Sequence, residues 1–198
     1  SLSYLKPLLH METEVDEIKD IELRVKHDVK AVEIYLRDRI ERLHPEFANL
    51  VHFGLTSEDI SSLSYAIVLY EAVKLYKSKL KSIMDKIDEF ADIWGDVPML
   101  CRTHGQPASP STVGHQFAVY GYRLGKQFDI LSNIKISAKF GGATGGLNAH
   151  YVAYPNIDWD SFIENFFENH YSYLQHQKIT TQIENYDDVV VLFDCLRR

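Results

Sequence analysis

Apolar residues recur every three or four positions from Val15 through Ile18, Ile21, Val25, Val29, Val32, Leu36 and Ile40 to Leu43. That period places them on one face of a helix, and the length of the stretch allows one interruption. The same period runs through Ile60, Leu63, Ile67, Tyr70, Val73, Leu80, Ile83, Ile87 and Phe90, with no glycine or proline between Gly54 and Gly95. A helix of that length needs neighbours of similar length to cover its apolar stripe, so the pattern predicts a bundle. A third helix is expected to start at Ser109 as N-cap, with Pro110 in the first turn where its missing N–H costs nothing. Its face runs Val113, Phe117, Tyr120, Leu124, Phe128, Leu131. Asp158 reads as the cap of a short helix carrying Phe162 and Phe166, and a last helix is expected from near Glu184 onward.

Between these helices, residues 98–103 read as extended, and 135–140 (Lys-Ile-Ser-Ala-Lys-Phe) alternate in a way that makes them a candidate partner for a short two-stranded ribbon. Residues 141–148 form a glycine-rich loop, and no internal repeat is visible. The fold class predicted is all-α, a long-helix bundle.

Composition narrows the function without naming it. The chain has 198 residues, 45% of them apolar, which suffices for one sizeable domain or part of a larger one. A net charge of −7 is the wrong sign for a nucleic-acid binder. No run of about 18 apolar residues suggests a membrane span, and no charged-then-apolar leader is visible. Cys101 and Cys195 lie far apart without metal-ligand spacing and are expected to be reduced thiols of a cytoplasmic protein, a disulfide being the weaker reading. The opening at Ser1 and the unpunctuated run Phe193–Arg198 are expected of a piece of a longer chain.

Candidate chemistry sits in polar clusters on this apolar scaffold. Arg102-Thr103-His104-Gly105-Gln106-Pro107-Ala108 holds an imidazole on a loop between ordered elements, where it can offer a proton to a ligand. Taken alone, a loop histidine is more often structural. Lys26-His27-Asp28-Val29-Lys30 reads as a polar face inside the first helix, with His27 and Lys30 three positions apart; by default such a face is simply solvated. Thr56-Ser57-Glu58-Asp59 reads as a hydroxyl N-cap followed by first-turn acids, and the same helix terminus suits an anion. Gly141-Gly142-Ala143-Thr144-Gly145-Gly146-Leu147-Asn148 offers backbone amides for an anion nest, although it lacks the Lys-Ser/Thr pair of a phosphate loop; its default reading is a flexible turn. Thr180-Thr181-Gln182-Ile183-Glu184 reads as another cap, with Gln182 as an amide available to a carboxylate or base edge.

Each cluster is weak alone. In this order, Lys-His-Asp-Val-Lys-Ala-Val-Glu, His-Phe-Gly-Leu-Thr-Ser-Glu-Asp, Arg-Thr-His-Gly-Gln-Pro-Ala, the Asn148-Ala149-His150 ending of the glycine loop and Thr-Thr-Gln-Ile-Glu resemble the adenylosuccinate lyase family, of bacterial purine-biosynthetic type, within the fumarase/aspartase superfamily. The resemblance covers nearly the whole chain. It implies an anti β-elimination that releases fumarate from adenylosuccinate, or from the succinyl-carboxamide ribotide, with no metal or organic cofactor. His104 would protonate the departing nitrogen. His27, flanked by Lys26 and Asp28, would bind phosphate or orient groups at that nitrogen. Thr56 and Ser57 would grip carboxylates, Gln182 would contact substrate, and Thr103 and Asn148 are further candidates. Residues 1–43 would complete an N-terminal helical domain and 44–198 would begin the central bundle domain.

The same resemblance implies a cytoplasmic homotetramer whose sites draw on three subunits, with the serine-rich loop carrying the catalytic base beyond Arg198. An N-terminal nucleotide-binding segment is also expected to be missing, and the 198 residues alone are therefore expected to be inactive. Departures from the family pattern are Lys26 where Asn or Arg is common, Asn185-Tyr186-Asp187 in place of Pro-His-Asp, and Gly146-Leu147 in place of Asn-Tyr or Asn-Phe. Rival readings are argininosuccinate lyase or a cycloisomerase of similar fold, a non-catalytic helical scaffold, and an anion-binding module built on the glycine loop. Gly105 favours adenylosuccinate lyase over the first of these.

Overall fold

The computed structural model describes residues 12–198. The first periodic stretch forms two helices, α1 (Glu12–Val25) and α2 (Asp28–Leu43). Their break falls at Lys26, whose φ of 58° is left-handed, while its N–H still bonds to the Glu22 carbonyl at 2.7 Å. A left-handed residue turns the chain out of the helix. His27 follows in extended conformation and caps α2. The cluster expected inside one helix is therefore a helix junction, and His27 shares no helical face with Lys30.

A 3-10 segment (Pro45–Leu50) leads to α3 (Ser57–Ile93), 37 residues long as the period predicts. Next come β1 (Pro98–Thr103) and β2 (Gln106–Thr112), an antiparallel hairpin in register Thr103↔Gln106 and Arg102↔Pro107. This corrects two expectations. Ser109 and Pro110 lie on β2, Pro110 opposite Leu100, and the helix α4 (Val113–Asn133) starts later. Its cap is Thr112, whose Oγ1 accepts the His115 N–H at 3.1 Å. A strand in a two-stranded ribbon has a free edge, so the missing N–H of proline removes no ladder bond there. The ribbon partner of 98–103 is thus 106–112, the segment nearest in sequence. Of 135–140, only β3 (Ser137–Ala138) is strand, and it pairs with β4 (Gln175–His176).

Three short helices complete the chain: α5 (Asn148–Ala153), α6 (Trp159–His170) and α7 (Asp187–Leu196). Asp158 caps α6 as expected, its Oδ1 accepting the Ser161 N–H at 3.1 Å. The helix α7 begins at Asp187 instead of near Glu184, because Tyr186 takes a left-handed φ of 58°. Both cysteines are free thiols. Among the described residues no helix is long and apolar enough to cross a membrane.

The chain divides into two compact units. The first takes residues up to Ser64, Ala138–Ser172 and His176–Asn185, and so holds α1, α2, the start of α3, the glycine loop, α5 and α6. Its buried apolar residues include Val29, Ala31 and Tyr35 of α2 and Trp159, Ile163 and Phe167 of α6. An aromatic cluster of Phe53, Phe140, His150 and Trp159 lies in the same unit, with the His150 and Trp159 rings 4.7 Å apart.

The second unit takes Tyr65–Ser137, Tyr173–Gln175 and Tyr186–Arg198. In it α4 starts against the end of α3: Phe90 stacks on Trp94 at 4.9 Å and both meet Phe117. The approach is close enough that a Cβ on Gly114 would lie 2.3 Å from the Ala91 carbonyl oxygen and 2.7 Å from the Gly95 Cα. Both neighbours are backbone and cannot swing aside. Gly114→Ala is therefore expected to destabilise the protein by about 1–3 kcal/mol, read as a lower denaturation midpoint with unchanged slope. An unchanged midpoint would mean that the two helices slide apart at no cost.

Candidate active site

His104 and Gly105 form the two-residue tip of the β1–β2 hairpin, with φ of 54° and 73°. Two positive φ values in a two-residue loop are the mark of a type I′ turn, which matches the twist of the strands and usually takes Asn-Gly. A histidine in that first position accepts a strained conformation that asparagine would hold more cheaply. The ring is exposed, as is Thr103 beside it, and Arg102 reaches the Gly105 carbonyl at 3.5 Å. The predicted donor thus stands at the tip of a hairpin in the second unit, not on a loop leading into a helix.

The other candidates lie in the first unit. As N-cap of α2, His27 accepts the Lys30 N–H on Nδ1 at 3.3 Å. A nitrogen that accepts carries no proton, so the ring proton resides on Nε2. Nε2 is 3.2 Å from the Ser57 Oγ, so it donates there and leaves the Ser57 O–H free to donate outward. Asp28 Oδ1 sits 3.3 Å from Nδ1, ready to pair with the ring once it is protonated. Lys26 is exposed and lines a surface hollow with Lys19, Glu22 and Leu23, where Lys19 and Glu22 are paired at 2.7 Å.

Thr56 precedes the first turn of α3, and its N–H donates to Asp59 Oδ2 at 2.8 Å. That is half of a capping box, closed by an aspartate three residues on. Asp59 also accepts the Gly141 N–H at 2.8 Å and the Gly142 N–H at 3.0 Å. The anion nest expected in the glycine loop therefore has an occupant: at these two positions the protein's own carboxylate fills it. Lys139 balances that charge, its Nζ 2.6 Å from Asp59 Oδ1 and 3.2 Å from the Gly142 carbonyl, with side chains 0% and 2% exposed.

Farther along the loop, Thr144 donates its hydroxyl to Asn148 Oδ1 at 3.1 Å, and Leu147 enters α5 with a left-handed φ of 55°. Gly145 has φ 81°, and a Cβ there would meet the Thr180 carbonyl oxygen at 2.2 Å. The Thr180–Gln182 segment therefore runs against the loop and caps no helix. Gln182 itself is exposed, whereas Glu184 is buried and its N–H donates to Glu58 Oε1 at 3.4 Å.

So the structure joins His27 directly to Ser57, ties Thr56 to the glycine loop through the Asp59 carboxylate and sets Thr180 and Thr181 against Gly145, all in one unit; His104 and Thr103 belong to the other. Sequence reasoning missed Lys139 and the linking role of Asp59. Asp59 reads as a first-turn acid complementing the helix dipole, and Lys139 as one lysine in an alternating run. Only the pairing of 141–142 amides with a buried carboxylate distinguishes them.

His150 is buried against Gly54, where an added Cβ would lie 2.5 Å from its ring. Burial lowers its pKa below the ordinary 6.5, against a smaller upward pull from Asp59. Burial likewise lowers His176, helped by the Lys178 charge. Both rings bind a proton more weakly folded than unfolded, so the unfolded state takes up more protons as pH falls through 6.5. Stability is complete above that value and declines below it, toward the depressed folded-state pKa values. The melting temperature is expected to be level above about pH 7 and to fall by about pH 5, with a shallower fall in His150→Phe. A wild-type curve flat over that range would contradict neutral burial.

Comparison with known proteins extends this picture. A family model described as lyase matches residues 9–198. The chain is 42% identical over 196 residues to the adenylosuccinate lyase of Dictyostelium discoideum, covering 94% of this chain and 41% of that protein. It is 39% identical over 204 residues to the adenylosuccinate lyase of Escherichia coli K12, covering 100% of this chain and 44% of that one. The chain thus spans about two-fifths of the length of the curated relatives it matches. Among solved structures, the β-carboxy-cis,cis-muconate cycloisomerase of Acinetobacter calcoaceticus superposes with a TM-score of 0.73 at 21% identity, covering 92% of this chain and 41% of that chain. A fumarate lyase from a Mesorhizobium species gives 0.71 at 19% identity, covering 94% and 42%. These two likenesses fix the fold. With the family model matched from residue 9 to the last, and adenylosuccinate lyases at about 40% identity, the chain belongs to the lyase family.

Proposed function

We propose that the natural protein carrying this sequence is an adenylosuccinate lyase, cleaving a C–N bond to give fumarate and AMP, and acting likewise on the succinyl-carboxamide ribotide. The observation that carries the reading is Ser57, at the N-terminus of the longest helix, with its hydroxyl held by His27 at 3.2 Å and its own proton free to donate. A hydroxyl and a helix N-terminus together suit a carboxylate of the succinyl group. In the elimination, a base takes the proton next to that carboxylate and the electron pair forms the fumarate double bond. The C–N bond breaks toward nitrogen, and His104 delivers the proton that nitrogen needs. Thr56 would grip carboxylate beside Ser57. Lys26, with His27 and Asp28, would face the phosphate; Gln182, Asn148 and Thr103 would complete the contacts. The base would come from outside these residues, and the 198 residues alone are expected to release no fumarate.

A cytoplasmic homotetramer fits the same reading. On the second unit, Tyr65, Val68, Leu75, Tyr76 and Ile83 of α3 and Val119, Tyr120 and Tyr122 of α4 are exposed apolar side chains, more than a free helix surface carries without a partner. The amides that the glycine loop spends on Asp59 count against an anion-binding module. Incubating the natural protein with adenylosuccinate and following ultraviolet absorbance decides the matter: loss of substrate with release of fumarate supports the lyase, and neither sinks it.

A further inference from the structure

Four of the residues at 141–146 are glycines, so this loop has almost no side chains by which packing could place it. Its position depends on its backbone groups. The Gly141 and Gly142 N–H groups both donate to Asp59, and the Gly142 carbonyl accepts from Lys139. Asp59 also holds the Thr56 N–H, so one carboxylate registers the start of α3 against the loop. The two charges come from positions 80 residues apart and are fully buried. A buried ion pair is a poor device for stability alone, because an apolar pair of similar volume often serves as well. Its value lies in the geometry it enforces.

We propose that Asp59 and Lys139 are positioning residues, which set the spacing between the Thr56–Ser57 hydroxyls and the glycine loop and so the affinity of this site for the dicarboxylate arm of its substrate. Neither side chain touches substrate; both act through the Thr56 N–H and the loop backbone. The inference rests on the lyase reading above.

The test uses the natural protein with two variants. Asp59→Leu/Lys139→Met removes both charges together, so neither ion is left without its counter-ion, while the Thr56, Gly141 and Gly142 N–H groups lose their acceptor. It is expected to fold with a lowered melting temperature, since those N–H groups lose their acceptor, and to raise the KM for adenylosuccinate and the inhibition constant of fumarate together by about tenfold or more, with a smaller change in kcat. Lys139→Arg keeps the charge, but its planar head does not hold Asp59 and the Gly142 carbonyl as the ammonium does; it is expected to fold and to raise KM by about threefold or more. A folded double variant with wild-type KM and fumarate inhibition makes the pair merely structural and overturns the proposal. Should the double variant not fold, an unchanged KM in Lys139→Arg does the same. A wild-type protein that turns over no succinylated purine sinks the lyase reading and this inference with it. An active wild type with indifferent variants sinks the inference alone.

Discussion

Replacing His104 with asparagine is expected to lower adenylosuccinate turnover by about 100-fold or more while leaving the melting temperature unchanged, the loss that follows removal of a general acid. Asparagine is the informative choice because His104 sits at φ 54° in the hairpin tip. Asparagine tolerates that conformation, so the turn persists while the imidazole goes. Alanine adds left-handed strain of about 1–2 kcal/mol and blurs chemistry with folding. If the asparagine variant retains turnover within a few-fold of wild type, the proton comes from elsewhere, and His27 is the next histidine to replace. Its ring already donates to Ser57, so a loss there would fall first on substrate affinity.

The largest stability effect is expected from Lys139→Met alone. The methionine fills a similar volume but leaves the Asp59 carboxylate buried beside backbone N–H groups and without a cation. Breaking one partner from a buried pair costs about 3–5 kcal/mol, a large part of a typical folding free energy. Denaturant titration should show it as a strongly lowered midpoint, and adding Asp59→Leu should restore only part of the loss, because the unpaired charge goes but three backbone N–H groups lose their acceptor. If the single variant loses under about 1 kcal/mol, the ion pair contributes little, and the glycine loop is anchored without Lys139.

Much of the fold was legible because helical periodicity is a local property. The helical stripe of Val15–Leu43, though not the place of its break at Lys26, the unbroken span from Gly54 to Gly95 and the Asp158 cap each depend on residues within a few turns of one another. The hairpin was not legible. Residues 106–112 (Gln-Pro-Ala-Ser-Pro-Ser-Thr) carry no β-branched residue before Thr112, and Ser-Pro is a strong helix-start signal. What makes them a strand is the His104-Gly105 turn, which folds them back onto 98–103. The alternation in 135–140 has a related fate: Ser137 bonds to Asp188 and Lys139 to Asp59, so its polar face meets two different partners and hardly any strand.

By itself, the sequence determined the helical class, the order of the polar clusters and the residue types available for acid, cap and carboxylate contacts. Those follow from side-chain chemistry and from spacing within a helix turn. The tertiary structure alone decided which of these groups are already committed. It joined Ser57 to His27, spent the glycine amides on Asp59, buried Lys139 and set the left-handed φ of Lys26, His104 and Leu147. The physical reason is burial: an ion pair between residues 80 positions apart forms only when the folded chain removes both from water, and no local pattern encodes that desolvation.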